Sequence, residues 1–119
     1  MILNFKFTDT DSDAALRAYA EEKVEAFGKL LREDDLEGAV CNVEFRHDAH
    51  HQSGDVCYAE VTLEAGGIIF RASKVEPTFE KAIDKVKDDV LQALRVEKQK
   101  REHNYMKGAR EAKSMLQGE

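Results

Sequence analysis

The sequence predicts an α+β fold, a two-layer sandwich of order β-α-β-β-β-α. Its sheet would be four-stranded and mostly antiparallel, with two helices on one face. Three observations carry this. Four short segments alternate apolar and polar residues, the period of a half-buried strand. Two longer segments repeat apolar residues at spacings of three and four, the period of an amphipathic helix. Short loops separate the last three alternating segments, which makes them an antiparallel meander. Both helical stripes need cover, and one apolar sheet face supplies it.

Residues 2–7 form the first strand, with Leu3, Phe5 and Phe7 on one side and Asn4 and Lys6 on the other. Residues 8–13 are rich in Asp, Thr and Ser, and Asp13 is the preferred N-cap of a helix reaching Arg32. Leu16, Tyr19, Ala20, Val24, Phe27 and Leu31 are its stripe. Residues 33–38 read as an acidic loop. Residues 39–46 alternate again, with Ala39, Cys41, Val43 and Phe45 inward. Residues 47–55 are a polar loop, and 56–64 a third strand with Cys57, Ala59, Val61 and Leu63 inward. Gly66-Gly67 make a tight turn, because glycine accepts positive φ. Residues 68–75 are the fourth strand, with Ile68, Phe70 and Ala72 inward.

Pro77 stops strand pairing and Thr78 caps the second helix. Phe79, Ala82, Ile83, Val86, Val90 and Leu94 are its buried stripe. No proline or glycine interrupts residues 78–107, so the helix is expected to outrun its stripe and project into solvent or onto a partner. Residues 1–107 are expected to form one domain. Residues 108–119 are expected to be a tail, disordered or a short helix built on Met106, Ala109, Ala112, Met115 and Leu116.

Charge is distributed unevenly. Residues 1–94 carry a net charge of −9 and residues 95–119 one of +3. A positive arm on a negative body points to an anionic partner, RNA first. No run of about 18 apolar residues exists, so no membrane helix is expected. The N-terminal segment lacks the basic start and apolar stretch of a secretory signal, and a cytoplasmic location is the expectation. Cys41 and Cys57 read as two buried small hydrophobes rather than a disulfide or a zinc motif.

His47, His50 and His51 are the candidate metal ligands, since imidazole suits zinc, nickel or copper. They lie in a polar loop with no second ligand set, so neither a metal nor a cofactor is expected. Asp34-Asp35 and Asp88-Asp89 read as solvated charge rather than acid/base pairs. Phosphate-loop, nucleophile-elbow and zinc-protease motifs are absent. No enzyme and no small-molecule substrate are therefore expected.

Two segments and the order of the elements resemble the ribosome hibernation-promoting factor and ribosome-associated translation inhibitor family, in its short form. In the first helix, residues 15–24, Ala-Leu-Arg-Ala-Tyr-Ala-Glu-Glu-Lys-Val, are similar to the family's Ala-Leu-Arg-x-Tyr-x-x-Glu-Lys-Leu. Residues 78–85, Thr-Phe-Glu-Lys-Ala-Ile-Asp-Lys, are similar to its Asp-Met-Tyr-x-Ala-Ile-Asp-Lys. The Gly66-Gly67 hairpin also fits, and the resemblance spans roughly residues 1–101.

It implies a non-enzymatic protein that binds the small ribosomal subunit, blocks the mRNA and tRNA sites, and silences idle ribosomes under stress. Arg17, Lys23, Lys85, Arg95 and Lys98 match the family's rRNA-contacting cations, and Lys100 and Arg101 continue the basic run. Asp89 and Gln92 stand where the family usually carries lysine and arginine, which weights the expected contact toward the arm. Those two positions also motivate the alternative, a protein-interaction module that keeps the fold but not the rRNA binding. A monomer is the expected state.

Overall fold

Four strands pair in chain order into one sheet: β1 (Ile2–Thr8), β2 (Val40–His47), β3 (Cys57–Ala65) and β4 (Ile68–Glu76). The structure is a computed structural model, and it describes residues 1–48, 54 and 56–117, with side chains as far as Arg110. β2, β3 and β4 are antiparallel neighbours, as the short loops require. β1 lies at the edge, parallel to β2, because the chain between them crosses over through helix. The register stacks the inward residues in rows: Leu3, Cys41, Leu63 and Phe70, then Phe5, Val43, Val61 and Ala72. Both glycines of the β3–β4 turn have positive φ, +59° at Gly66 and +78° at Gly67, which suits a two-residue hairpin.

Asp13 caps α1 (Ala14–Val24) as expected. Its Oδ1 accepts from the backbone N–H groups of Ala15 and Leu16, at 2.9 and 3.1 Å. The helix does not run on to Arg32. After Val24 it tightens into a 3-10 segment (Glu25–Leu30), turns extended at Leu31, and is followed by a short α2 (Glu33–Glu37) where a loop was expected. A 3-10 turn eclipses residues three apart. Val24, Phe27 and Leu30 therefore line up on the core side, and Phe27 is fully buried. Leu36 of α2 packs over Gly28, where a Cβ would sit in ordinary contact at 3.4 Å. Three acids in the first turn of α2 favour its positive end.

Thr78 caps α3 (Phe79–Gln117), its Oγ1 accepting from the Lys81 N–H at 3.1 Å. Ala82, Ile83, Val86, Val90 and Leu94 are buried against the sheet, joined by Leu91. An aromatic chain ties three elements: the Phe7 and Phe45 rings are 5.6 Å apart, and Phe79 meets Phe45 edge-on at 5.5 Å. α3 has 39 residues and continues through Gly108, about 58 Å at 1.5 Å per residue. Contact with the body ends near Arg101, and residues 102–110 are exposed. The extents of 67 × 29 × 18 Å reflect that rod.

Both cysteines are free thiols, but only Cys41 is fully buried, and burial pushes its thiol up to about 12. Cys57 opens β3 at the margin of the core, half-buried, with its Sγ 3.5 Å from the Pro77 carbonyl oxygen. The expectation of two buried thiols is corrected there, because a strand's first residue lies where the helical layer no longer covers it. No described helix is long and apolar enough to cross a membrane.

Candidate nucleic-acid interface

The seven cations singled out by sequence fall into two groups. Lys23, Lys85 and Arg101 are engaged within the chain. Lys23 Nζ lies 3.3 Å from Asp84 and 5.0 Å from the centre of the Tyr19 ring. The Tyr19 hydroxyl donates to both carboxylate oxygens of Asp84, at 2.8 and 2.9 Å. These three residues, from the two segments that carry the resemblance, thus tie α1 to α3. The hydrogen bond to Asp84 raises the Tyr19 hydroxyl and also holds the Lys23 ammonium protonated above its usual range. Lys85 pairs with Glu76 at the end of β4. Arg101 donates to Asp35 of α2 at 3.0 Å and lies 3.9 Å from Glu97.

Arg17, Arg95, Lys98 and Lys100 are exposed and make no ion pair among the described residues. The Arg17 guanidinium lies over the Phe5 ring, 5.2 Å from its centre. At 3.6 residues per turn, Arg95 and Lys98 are about 60° apart on one flank of α3, and Lys100 is about 160° from Lys98. Lys107 falls within about 20° of Lys100 and is also exposed. The arm is therefore a rod with cations on both flanks rather than a single stripe.

Asp89, the residue that departs from the family's lysine, has a local reason to be acidic. Lys74 occupies an inward register position at the sheet edge and reaches Asp89 at 3.5 Å. The outer sheet face neutralises itself. Arg71 donates to Glu60 at 3.1 Å, Tyr58 donates to the same carboxylate, and Arg46 stacks 4.0 Å over the Tyr58 ring. Burial works against charge on Glu60, but the bonds from Tyr58 and Arg71 outweigh it and hold its carboxyl below the usual range.

Sequence spacing gave no hint of one further cluster. Lys29 and Arg32, from the 3-10 segment and the turn after it, converge with Lys98 and Arg101 of α3 around a cleft of about 280 Å³. Its floor is apolar: Leu30, Leu31, Ala65, Phe70 and Leu94. Glu97 and Glu102 also border it. The two pairs of cations are nearly 70 positions apart in the chain, so only the packed fold brings them together.

No cluster of three or more His, Cys, Asp or Glu placed to hold a metal occurs among the described residues. His47 is exposed at the end of β2, and His50 and His51 lie outside the described residues.

Solved structures share this architecture. The N-terminal domain of Thermus thermophilus Protein Y superposes with a TM-score of 0.64 at 18% identity, covering 79% of this chain and 96% of that one. A ribosomal subunit interface protein from Coxiella burnetii superposes with a TM-score of 0.64 at 14% identity, covering 82% and 98%. At such identities the likeness establishes the fold alone. No curated protein gives a significant sequence match. The family model described as sigma 54 modulation protein / S30EA ribosomal protein matches residues 3–102. That span takes in all four strands, α1 and the packed part of α3, and the chain belongs to the sigma 54 modulation protein / S30EA ribosomal protein family.

Proposed function

We propose that this protein binds the small ribosomal subunit and inhibits translation by occupancy, excluding mRNA and tRNA without covalent chemistry. The observation that carries the reading is the α3 arm. Arg95, Lys98 and Lys100 are exposed and unpaired among the described residues, on a rod that leaves an acidic body. Cations on both flanks suit a partner that presents phosphate on more than one side, as a channel walled by rRNA does. Phosphate neutralisation with counterion release supplies the affinity and reads position rather than base sequence. Arg17 extends the contact along α1. Lys23, Lys85 and Arg101 add less to it, because each must first give up a carboxylate partner for a phosphate.

The test is co-sedimentation with purified ribosomal subunits across a salt series. Binding to small subunits that weakens steeply with salt is expected, together with competition against initiator tRNA. Failure to co-sediment with small subunits at low salt removes the reading.

The second reading is a protein-interaction module without rRNA binding. Its support is the number of candidate cations already paired to carboxylates: Lys23 to Asp84 and Lys85 to Glu76 at family positions, and Arg101 to Asp35 in the run that follows. A nuclease-resistant protein partner recovered without ribosomal subunits would favour it.

A further inference from the structure

The cleft between the 3-10 segment and α3 opens onto a second, shallower depression lined by Arg32, Arg101, Glu102, Tyr105 and Met106. Arg32 and Arg101 stand at the junction of the two. Tyr105 is 75% exposed and Met106 52%, among the largest exposed apolar surfaces described. A bare tyrosine ring one helical turn beyond Arg101, about 6 Å along the axis, has no packing role in the body. The groove thus alternates an apolar seat, a pair of guanidinium groups and an aromatic platform.

We propose that this groove holds single-stranded RNA. One unstacked base enters the cleft over Leu31 and Phe70, and the next stacks on Tyr105. Arg32, Lys98 and Arg101 hold the phosphates between them. Bases splayed from a strand stack on aromatic rings and guanidinium planes, and every base has such a face. Arg101 meets the phosphate by releasing Asp35. The charge pattern favours this occupant, because Lys29, Arg32, Lys98 and Arg101 outnumber the two bordering carboxylates, Glu97, which lies 3.9 Å from Arg101, and Glu102. Duplex RNA keeps its bases stacked and cannot fill the apolar seat. The inference rests on the ribosome-binding reading and deepens it: the arm takes an unpaired rRNA segment as well as helical phosphates.

The experiment uses the full chain and a fluorescent oligoadenylate of about 12 nucleotides, alone and annealed to its complement, with ribosome co-sedimentation in parallel. The single strand is expected to bind roughly tenfold tighter than the duplex. Tyr105→Ala, at an exposed position that folding does not depend on, is expected to lose on the order of tenfold on the single strand. Its salt slope stays unchanged, because the ring carries no charge. Lys98→Gln instead flattens that slope by about 0.7. Equal affinity for strand and duplex, or a silent Tyr105→Ala, overturns the inference even while ribosomes still bind. Displacement of the strand by polyglutamate as well as by unlabelled RNA would assign the groove to an acidic polypeptide and overturn it too. Wild-type protein that binds neither oligonucleotide nor ribosome overturns the parent reading along with it.

Discussion

Replacing Arg95, Lys98 and Lys100 by glutamine removes three arm cations that make no ion pair among the described residues. Each such cation that meets a phosphate contributes a slope of about 0.7–0.9 in log affinity against log salt. The triple variant is therefore expected to flatten the salt dependence of small-subunit binding by about 2–3. Near 0.1 M salt the same contacts correspond to a loss on the order of several hundredfold. The comparison variant is Lys23→Gln with Lys85→Gln. Those side chains already face Asp84 and Glu76, so two formal charges, against three in the arm variant, are removed from groups that are locally neutralised. A slope change under about one is expected there. The assay is subunit co-sedimentation from about 0.05 to 0.3 M salt, a range where the electrostatic term dominates. The reasoning fails if the paired-lysine variant flattens the slope as much per charge removed as the arm variant does. Pairing within the chain would then be no guide to which cations reach RNA.

Three further outcomes follow from the packing. Tyr19→Phe removes the hydroxyl that joins α1 to Asp84 and is expected to cost about 1–2 kcal/mol, read as a fall of several degrees in the thermal midpoint. Gly66→Ala must hold φ near +59° and places a Cβ 3.0 Å from both the Arg101 guanidinium and the Asp35 carboxyl. It is expected to cost about 1–2 kcal/mol and to loosen the Asp35–Arg101 pair, measurable by chemical denaturation. Burial raises the Cys41 thiol to about 12, so the folded state holds that proton more tightly than the unfolded one. Its contribution is intact below the ordinary thiol range and is lost as pH rises toward about 12. In native protein at pH about 8, where a free thiol is only partly ionised, a thiol reagent is expected to label Cys57 and spare Cys41. Fast labelling of both would contradict the burial.

The strands were legible because alternation is a local property, and each inner row of the sheet repeats it. The caps at Asp13 and Thr78 were legible for the same reason, since a side chain two or three residues from a free N–H needs no distant partner. The break after Val24 was not. Leu31 continues an α-helical stripe, whereas the 3-10 segment lines up Val24, Phe27 and Leu30 instead, and the local pattern of apolar residues fits both. The place of β1 was also open, because a helical crossover permits a parallel neighbour at more than one position. Site residues suffered most from distance. Lys23 and Asp84 are 61 positions apart in the chain and Asp35 and Arg101 are 66 apart, so no local pattern marks them as partners. A basic motif on a helix reads the same whether its cations face phosphate or a carboxylate of the same chain.

That distinction also reconciles an acidic protein with an RNA-binding family. The body is not uniformly hostile to phosphate, because part of its acidity is spent internally on the family-position lysines and on Lys74. What remains is separated from the outer part of the arm by distance. Counting from Arg101, Arg110 lies about 13–14 Å along α3, beyond the Debye length of about 8 Å at physiological ionic strength. Lys107 and Arg110 therefore present their charge to a partner with little interference from Asp34, Asp35 or Glu37. Arg95 and Lys98 remain within range of those acids. Residues 95–101 carry a net charge of +3 and residues 102–119 a net charge of zero, so the positive excess of the arm sits where it leaves the body, and Lys107 and Arg110 extend it outward.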